Sequence, residues 1–495
     1  MSSEEFALLR LHPAAMVIGA LGTIRRSVSA TIIPGAVFLF SQGFSPWTIA
    51  LVLAGVAVLA VLATVWGFLS WRATTYGVVG ESFRLRQGVF QKSERTIPLD
   101  HVQSVDTVQR IVQRIFGVYE VRVETAGGGA SEPDASLPAL GRGATEDLRR
   151  AIEGARREPV GAEKATGPEV LRRLSVRDLL VAGATSGQIG VAFSLLAVGS
   201  QVFDEFLSEA FLRDILRSLA PNALVVALIL IPTVALAAWL LAIAGTVLAH
   251  FGFTLSREGD FLHIRRGLLE RREATIPLGR IQAVRIGEGL LRQPFGLASL
   301  RVESAGYGED AGVSTFLFPL LPFGEVQRLL RAAAPEFAVA PPLNPLPRRA
   351  LRRYVFRATV PALVLAAAGA LISLLLFDSA FGLLLVALAP PFALYGWLRF
   401  RDAGWALEGD RLVVRSRGLA RVTVVAPRRR LQSRSVLQNP FQRRVGLANF
   451  GAEVASGSGG SSLAVTDLDF EDAGYLAEVL SARAGGPTVR EEPSP

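Results

Sequence analysis

Apolar and polar stretches alternate along the chain. Six apolar runs stand out: Ser27–Gly43, Pro46–Ser70, Asp178–Ser200, Asn222–His250, Phe356–Phe377 and Ala380–Leu398. A helix needs about 20 apolar residues to cross the hydrocarbon core. The first run is the shortest, and the second carries no charge. The runs come in pairs. The first two are joined by a few residues including Phe44 and Ser45, and the last two meet at Asp378 and Ser379. The middle pair is joined by Gln201–Pro221, where Phe203, Phe206, Leu207, Phe211, Leu212 and Ile215 predict a short amphipathic helix. The pattern predicts six transmembrane helices in three hairpins. Arg25 and Arg26 beside the first run, with longer runs following at once, argue against a cleavable leader.

The polar segments switch to the period of strands. In the second, Phe253–Ser256, a Glu258-Gly259-Asp260 turn and Phe261–Arg266 read as a β-hairpin. Leu268–Ile276 continues as strand to Pro277, and Ile281, Ala283 and Arg285 alternate. A tight turn at Gln293–Gly296 leads into a strand over Leu297–Ser304. Thr315–Phe318 follows, and Glu325–Ala333 is helical with Val326, Leu329 and Leu330 on one face. Helices over Ala144–Arg156 and Phe470–Arg483 close the other two segments.

These segments repeat one another. Pro98, Pro277 and Pro427 each precede a glutamine (Gln103, Gln282, Gln432), then a glycine (Gly117, Gly296, Gly446), then a glutamate (Glu124, Glu303, Glu453) in one fixed register. Such a register marks homologous domains. The glycines suit a positive φ or a close strand approach. The glutamines have two readings, presenting an amide to a ligand or satisfying backbone groups, and the second is favoured. Each glutamate is expected to pair with an arginine of its own domain, Arg122 and Arg301 lying two residues earlier on the same face.

Helical hairpins alternating with I-P-x-x-x-[VIL]-Q…F-G…E-x-A-G segments resemble the bacterial PH-like, membrane-flanked domain proteins of the YdbT type. The resemblance runs from Leu11-His12-Pro13 to about Ala484; Ala426, Val445 and Ser456 depart from the motif. It implies an α+β membrane protein in which each hairpin is followed by a PH-like β-barrel or sandwich with a C-terminal capping helix. It also implies a smaller PH-like membrane partner and a link to envelope stress and antimicrobial tolerance. The expected division is an N-terminal segment (1–26), hairpin 1 (27–70), repeat 1 (71–160), a basic linker (161–177) and hairpin 2 (178–250). Repeat 2 (251–337), a Pro/Arg linker (338–355), hairpin 3 (356–398), repeat 3 (399–484) and a disordered tail (485–495) follow.

Composition sharpens this. Half the residues are hydrophobic, 19% are charged and mean hydropathy is +0.38, values of a membrane chain. With no cysteine, disulfides, thiolate metal sites and cysteine nucleophiles are excluded. Net charge is +9, and 50 of the 52 basic residues are arginine. Only Arg213 and Arg217 lie in hairpin loops, so the termini and all three repeats are expected in the cytoplasm, beneath the inner membrane of a bacterium.

No enzyme constellation is visible, and no metal or cofactor is expected. The Gly457–Ser462 run lacks the lysine and helix of a P-loop and reads as a hairpin loop. His101 and His263 read as lying in β-segments, none of His12, His101, His250 and His263 has a second ligand at useful spacing, and Glu309-Asp310 reads as solvated loop. Thr185, Ser186, Gln188 and Ser194 suit bonds between helices better than a transport path. The densest charge lies in repeat 3: Arg411, Arg415, Arg417, Arg421, Arg428, Arg429, Arg430, Arg434, Arg443 and Arg444 form a candidate surface for anionic lipid headgroups or an acidic partner. Nucleic acid is not expected, since no aromatic stacking platform accompanies them. The leading expectation is a non-enzymatic scaffold that assembles with itself or a small membrane partner. Lipid binding or movement is the alternative, and transport is third.

Overall fold

A computed structural model describes residues 8–24, 45–125, 135–155, 168–185, 223–304, 316–377, 381–455 and 461–481. The chain forms two compact units that divide at Arg280/Ile281, inside repeat 2, with Thr185 belonging to the second.

The first unit opens with β1 (Leu9–Arg10), α1 (Ala14–Ile24) and α2 (Pro46–Ala73). A capping box starts α2: the Ser45 hydroxyl accepts from the Thr48 N–H at 3.2 Å, and Thr48 Oγ1 accepts from the Ser45 N–H at 3.1 Å. Strands β2 (Thr75–Val79), β3 (Ser82–Gln87) and β4 (Ser93–Pro98) form an antiparallel sheet with β1, in the order β1-β2-β3-β4. β5 (Val102–Gln109), the short α3 (Ile111–Ile115), β6 (Val118–Thr125), β7 (Ala135–Gly141) and α4 (Arg142–Ala155) complete repeat 1. Alternation in β3 sends Phe83 and Leu85 into a core with Val102, Val121, Leu137 and Ile152. Then come β8 (Glu169–Arg173), α5 (Val176–Ala184), α6 (Ala223–His250), β9 (Thr254–Glu258), β10 (Phe261–Arg266) and β11 (Arg271–Pro277). β11 pairs with β5 through Arg271↔Gln109, Arg272↔Val108 and Glu273↔Thr107. One seven-stranded sheet, β7-β6-β5-β11-β10-β9-β8, therefore joins the end of repeat 1 to the start of repeat 2.

The second unit uses the same plan. β12 (Ile281–Glu288), β13 (Leu297–Ser304), β14 (Phe316–Pro322) and α7 (Val326–Ala333) end repeat 2. β15 (Asn344–Pro345), α8 (Arg348–Phe377), α9 (Ala389–Asp402), β16 (Gly404–Glu408), β17 (Arg411–Arg417) and β18 (Arg421–Pro427) follow. β12 pairs with β18 over five positions from Val284↔Val425 to Glu288↔Arg421, giving the sheet β14-β13-β12-β18-β17-β16-β15. β19 (Leu431–Leu437), α10 (Pro440–Arg443), β20 (Leu447–Val454), β21 (Ser461–Asp469) and α11 (Phe470–Ser481) close repeat 3. Its core gathers Trp405, Leu412, Val424, Phe450, Leu468 and Leu476.

Among the described residues, three helices are long and apolar enough to cross a membrane: Pro46–Ala73, Ile231–His250 and Arg348–Leu375. Each has a neighbouring helix at a glycine. A methyl group on Gly67 of α2 would collide with the Met16 carbonyl of α1. On Gly183 of α5 it would lie 2.9 Å from Ile243 Cα of α6, and on Gly396 of α9 2.8 Å from the Tyr354 carbonyl of α8. Small residues permit such close backbone approach.

Three expectations change. The linkers 161–177 and 338–355 contain β8 and β15, which pair with the strands after the helices; strands of two to five residues are too short to show a period. The stretch Ala380–Leu398 is not one helix. A 3₁₀ segment, Phe381–Leu388, precedes α9, which starts with Pro390 and Pro391 in its first turn and runs to Asp402. Proline lacks the N–H that would continue an α ladder from before it. His101 lies in the turn before β5 rather than in a strand. The run 27–43, residues 186–200, the connection 201–221, Gly127–Gly129, Glu309-Asp310, Gly457–Gly460 and the tail 485–495 lie outside the described residues.

Candidate functional site

The repeated motif resolves into structure. Each proline ends a strand, and the next N–H returns to a turn: Leu99 donates to the Glu81 carbonyl (2.8 Å), Leu278 to Asp260 (2.8 Å) and Arg428 to Asp410 (2.6 Å). Each glutamine is a bulge residue: the ladder skips Gln103 between Val102 and Ser104, Gln282 between Ile281 and Ala283, and Gln432 between Leu431 and Ser433. A bulge leaves one residue outside the ladder and bends the strand. Gly117, Gly296 and Gly446 have φ of 65°, 60° and 62°. Glu303 pairs with Arg285 on the neighbouring strand at 2.6 Å, while Arg301 lies over the Phe316 ring at 4.3 Å. Arg122 pairs with Glu120 at 2.8 Å, and Glu453 accepts from Ser433 Oγ at 2.7 Å. The Gln103 and Glu124 side chains lie outside the described set.

One repeated position escaped the sequence reading because its identity varies. Gln113, Arg292 and Gln442 each stand four residues before the glycine and are nearly buried. Gln113 Nε2 donates to the Pro138 carbonyl and Arg292 Nη1 to Pro319, each at 3.1 Å; Gln442 Nε2 donates to Asp467 Oδ1 at 2.7 Å.

The arginines of repeat 3 divide by partner. Arg417 is buried against Asp402, and Arg421 forks onto Glu288, its Nε 2.8 Å from Oε1. Arg415 Nε donates to Thr423 Oγ1 at 2.9 Å, and Arg434 donates to the Leu480 carbonyl. Arg429 pairs with Glu336 at 2.6 Å, and Arg411 lies 3.9 Å from Asp410. Arg428 and Arg430 are half-buried. Arg443 and Arg444 are exposed at the α10 tip with Phe441 (68% exposed). Internal bonds thus engage about half of the set, while Arg411 Nε, Arg428 Nη2 and Arg430 Nε are buried without a hydrogen-bond partner. The cluster before α8 is likewise engaged: Arg349 reaches Asp469, while Arg353 (3.0 Å) and Arg357 both reach the fully buried carboxylate of Asp467.

A second cationic site lies in the first unit, where β5 meets β11. A cleft of about 330 Å³ is lined by Arg265, Arg266, Arg271 and Arg272, with Glu273 the one acid among its lining residues. Thr107, Gln109 and Tyr119 form its other wall, and Phe251-Gly252 floors it. Arg266 Nη1 lies 3.1 Å from His250 Nε2, and its Nε is buried without a hydrogen-bond partner. Burial, then the nearby Arg272, push the Arg266 guanidinium down to about 10, so it remains cationic at neutral pH. Arg272 pairs with Glu270 at 2.7 Å, and Arg265 meets Glu273 at 3.5 Å. The cleft sits at the end of α6: Gly267 N–H donates to the Phe251 carbonyl (2.8 Å) and Leu268 N–H to Leu248 (3.0 Å). Ile111, Ile115 and Leu269 leave apolar surface bare beside it, and Arg114 Nη1 ties α3 to the Leu268 carbonyl at 2.9 Å. Sequence reading passed over this site; its trace is the pair of arginine doublets flanking Gly267.

The fold and its triplicate motif agree with comparison to known proteins. The family model for the bacterial PH domain matches residues 22–156, 211–336 and 359–484. The chain belongs to the bacterial PH-domain family. It is 32% identical over 489 residues to the UPF0699 transmembrane protein YdbT of Bacillus subtilis (strain 168), covering 95% of this chain and 98% of that one. No solved structure matches. The chain is therefore a membrane protein with three bacterial PH domains, of the YdbT-like kind.

Proposed function

We propose that this protein is a non-enzymatic scaffold of the bacterial inner membrane, assembling with itself or a small membrane partner and supporting envelope integrity under stress. The observation that carries the reading is the pair of inter-repeat ladders, β5–β11 and β12–β18, which turn consecutive PH domains into shared sheets. Shared sheets suit a platform for partners, since strand edges recruit further strands.

The reading includes six spans with cytoplasmic repeats, and the same ladders support paired crossings. Arg10 pairs with Thr75, Arg173 with Thr254 and Pro345 with Gly404, so each inserted helical segment leaves and rejoins the sheet at one place. A segment that starts and ends on one side of a membrane crosses it an even number of times. Among the described residues each holds one helix of spanning length, and the proposed even count calls for a second crossing in each. Native mass spectrometry of gently extracted protein tests the scaffold reading. A stoichiometric second polypeptide or a defined oligomer is expected; a lone monomer overturns it.

The junction cleft favours a second reading, capture of an anionic headgroup. Planar guanidinium forks match phosphate oxygens, and this cleft opens beside the end of a membrane-length helix. In nanodiscs, phosphatidylglycerol is expected to raise the thermal midpoint of the parent relative to phosphatidylcholine, and Arg266→Gln with Arg271→Gln is expected to abolish that gain. A gain from inorganic phosphate alone would identify a soluble anion instead.

A further inference from the structure

We propose that β19 is a docking edge for β4 of a second copy of this chain, continuing between molecules the ladder that joins the repeats within one. The proposal deepens the scaffold reading by naming the partner strand and its register.

The two internal junctions share one geometry. In the repeat register Gln109 corresponds to Glu288, and Arg271 to Arg421; these are the residues paired at the junction ends, Gln109↔Arg271 and Glu288↔Arg421. The next pairs, Val108↔Arg272 and Gly287↔Val422, also correspond. One register therefore serves both joints. Repeat 3 has the accepting strand, β19, and repeat 1 has the supplying strand, β4. Among the described residues β19 pairs only with β20, and β4 only with β3.

Exposure shows what the vacancy costs each strand. Val108, inside the first joint, is 1% exposed; its counterpart Leu437 in β19 is 65% exposed. In β18 the run Thr423–Pro427 is buried, whereas only Ile97 of β4 is. The end of β19 is also built for pairing. Gln109 Nε2 donates to the Val118 carbonyl at 3.2 Å, and Gln438 repeats this with Leu447 at 2.9 Å. Opposite Gln109 stands Arg271, and the transferred register places Lys92, another cation, opposite Gln438. The same register sets Leu437 against Ser93 and Val436 against Glu94. β19 carries no proline or lysine; its one charge, Arg434, is engaged by the Leu480 carbonyl, and its bulge at Gln432 lies at the end away from Leu437.

A parent without cysteine makes the register directly readable. Two full-length, differently tagged variants, Ser93→Cys and Leu437→Cys, are co-expressed and their native membranes mildly oxidised. Cross-strand partners bring Cα atoms to about 4.5–5.5 Å, within disulfide range. Val108→Cys with Arg272→Cys in one chain reports the same geometry at an internal joint. Thr96→Cys with Leu437→Cys is out of register by three residues. The proposal expects a disulfide between the two tagged chains, at least fivefold above the out-of-register pair, with the internal pair also linked. Equal linking of both pairs, or none while the internal pair links, overturns it. A defined homo-oligomer by mass without the 93–437 link overturns this edge and leaves the scaffold reading standing. Linking of the Leu437→Cys chain to a different small protein overturns the second copy as occupant.

Discussion

Replacing Asp467 by Asn isolates the charge that docks α8 on repeat 3. The carboxylate is fully buried, with Arg353 Nε at 3.0 Å, Arg357 on its other oxygen and Gln442 Nε2 donating at 2.7 Å. Asp467 has φ of 54°, a conformation asparagine also tolerates, so the backbone is spared. A hydrogen bond to a charged group contributes about 1.5–3 kcal/mol, and the Arg353 contact belongs to that class. The Arg357 side chain is 42% exposed, so its share falls toward the range of about 0.2–1 kcal/mol for solvent-screened pairs. The expected loss is about 2–4 kcal/mol, in keeping with about 3–5 kcal/mol for removing one partner of a fully buried pair. At about 1.4 kcal/mol per factor of ten, repeat 3 should open roughly 30-fold more often or beyond. Ala452→Cys, at a position 1% exposed, supplies a lone buried thiol whose labelling rate reports that opening. Adding Arg353→Gln to Asp467→Asn should cost less than the two separate losses together. A labelling rate within threefold of the parent would refute the assignment of Asp467 as the anchor of α8.

Three further outcomes are expected. Gly267→Ala should lower the thermal midpoint, because φ is 105° and the new methyl group would strike the Glu270 carbonyl, a strain of about 1–3 kcal/mol; Gly418→Ala, with open space around it, should be neutral. Glu288→Gln should destabilise the second unit, since the Glu288 side chain is 3% exposed and holds the Arg421 guanidinium above its ordinary value by hydrogen bonding; the thermal midpoint checks this, and Arg421→Gln added to it should cost little more. Single cysteines at Ser41 and Ser461 should label from opposite sides of intact cells, and external labelling at Ser461 would reverse the orientation.

The alternation of apolar helices with repeated β-domains was legible because both periods are long and clean. So were the positive-φ glycines, because turn chemistry is local. Strand partners were not. Alternation in β5 shows which face is buried and says nothing about which strand lies at its edge. That β11 rather than β4 occupies it is a tertiary fact. Charge counting leaves out a different kind of information. Arg417 beside Asp402, or Arg349 beside Asp469, adds the same unit to a net charge as Arg444 in solvent. A composition argument therefore cannot separate the arginines of repeat 3 that distant acids engage from Arg411, Arg428 and Arg430, which like Arg266 at the β5–β11 joint each keep a buried nitrogen without a hydrogen-bond partner.

The two joints differ in a way that bears on what this cleft can do. The β12–β18 ladder runs five positions and ends in the Glu288–Arg421 fork, whereas β5–β11 is paired at three. Thr107 and Gln109 on one strand, and Arg271, Arg272 and Glu273 on the other, are ladder residues and cleft residues at once. The cavity therefore opens along the joint with fewer paired positions. An anion entering the cleft would meet cations from β10 and β11 against a wall supplied by repeat 1, so its binding energy acts across the joint and not within one domain. On the proposed readings, headgroup capture and scaffold assembly share one element, because residues of the ladder that links the repeats also line the cationic cleft.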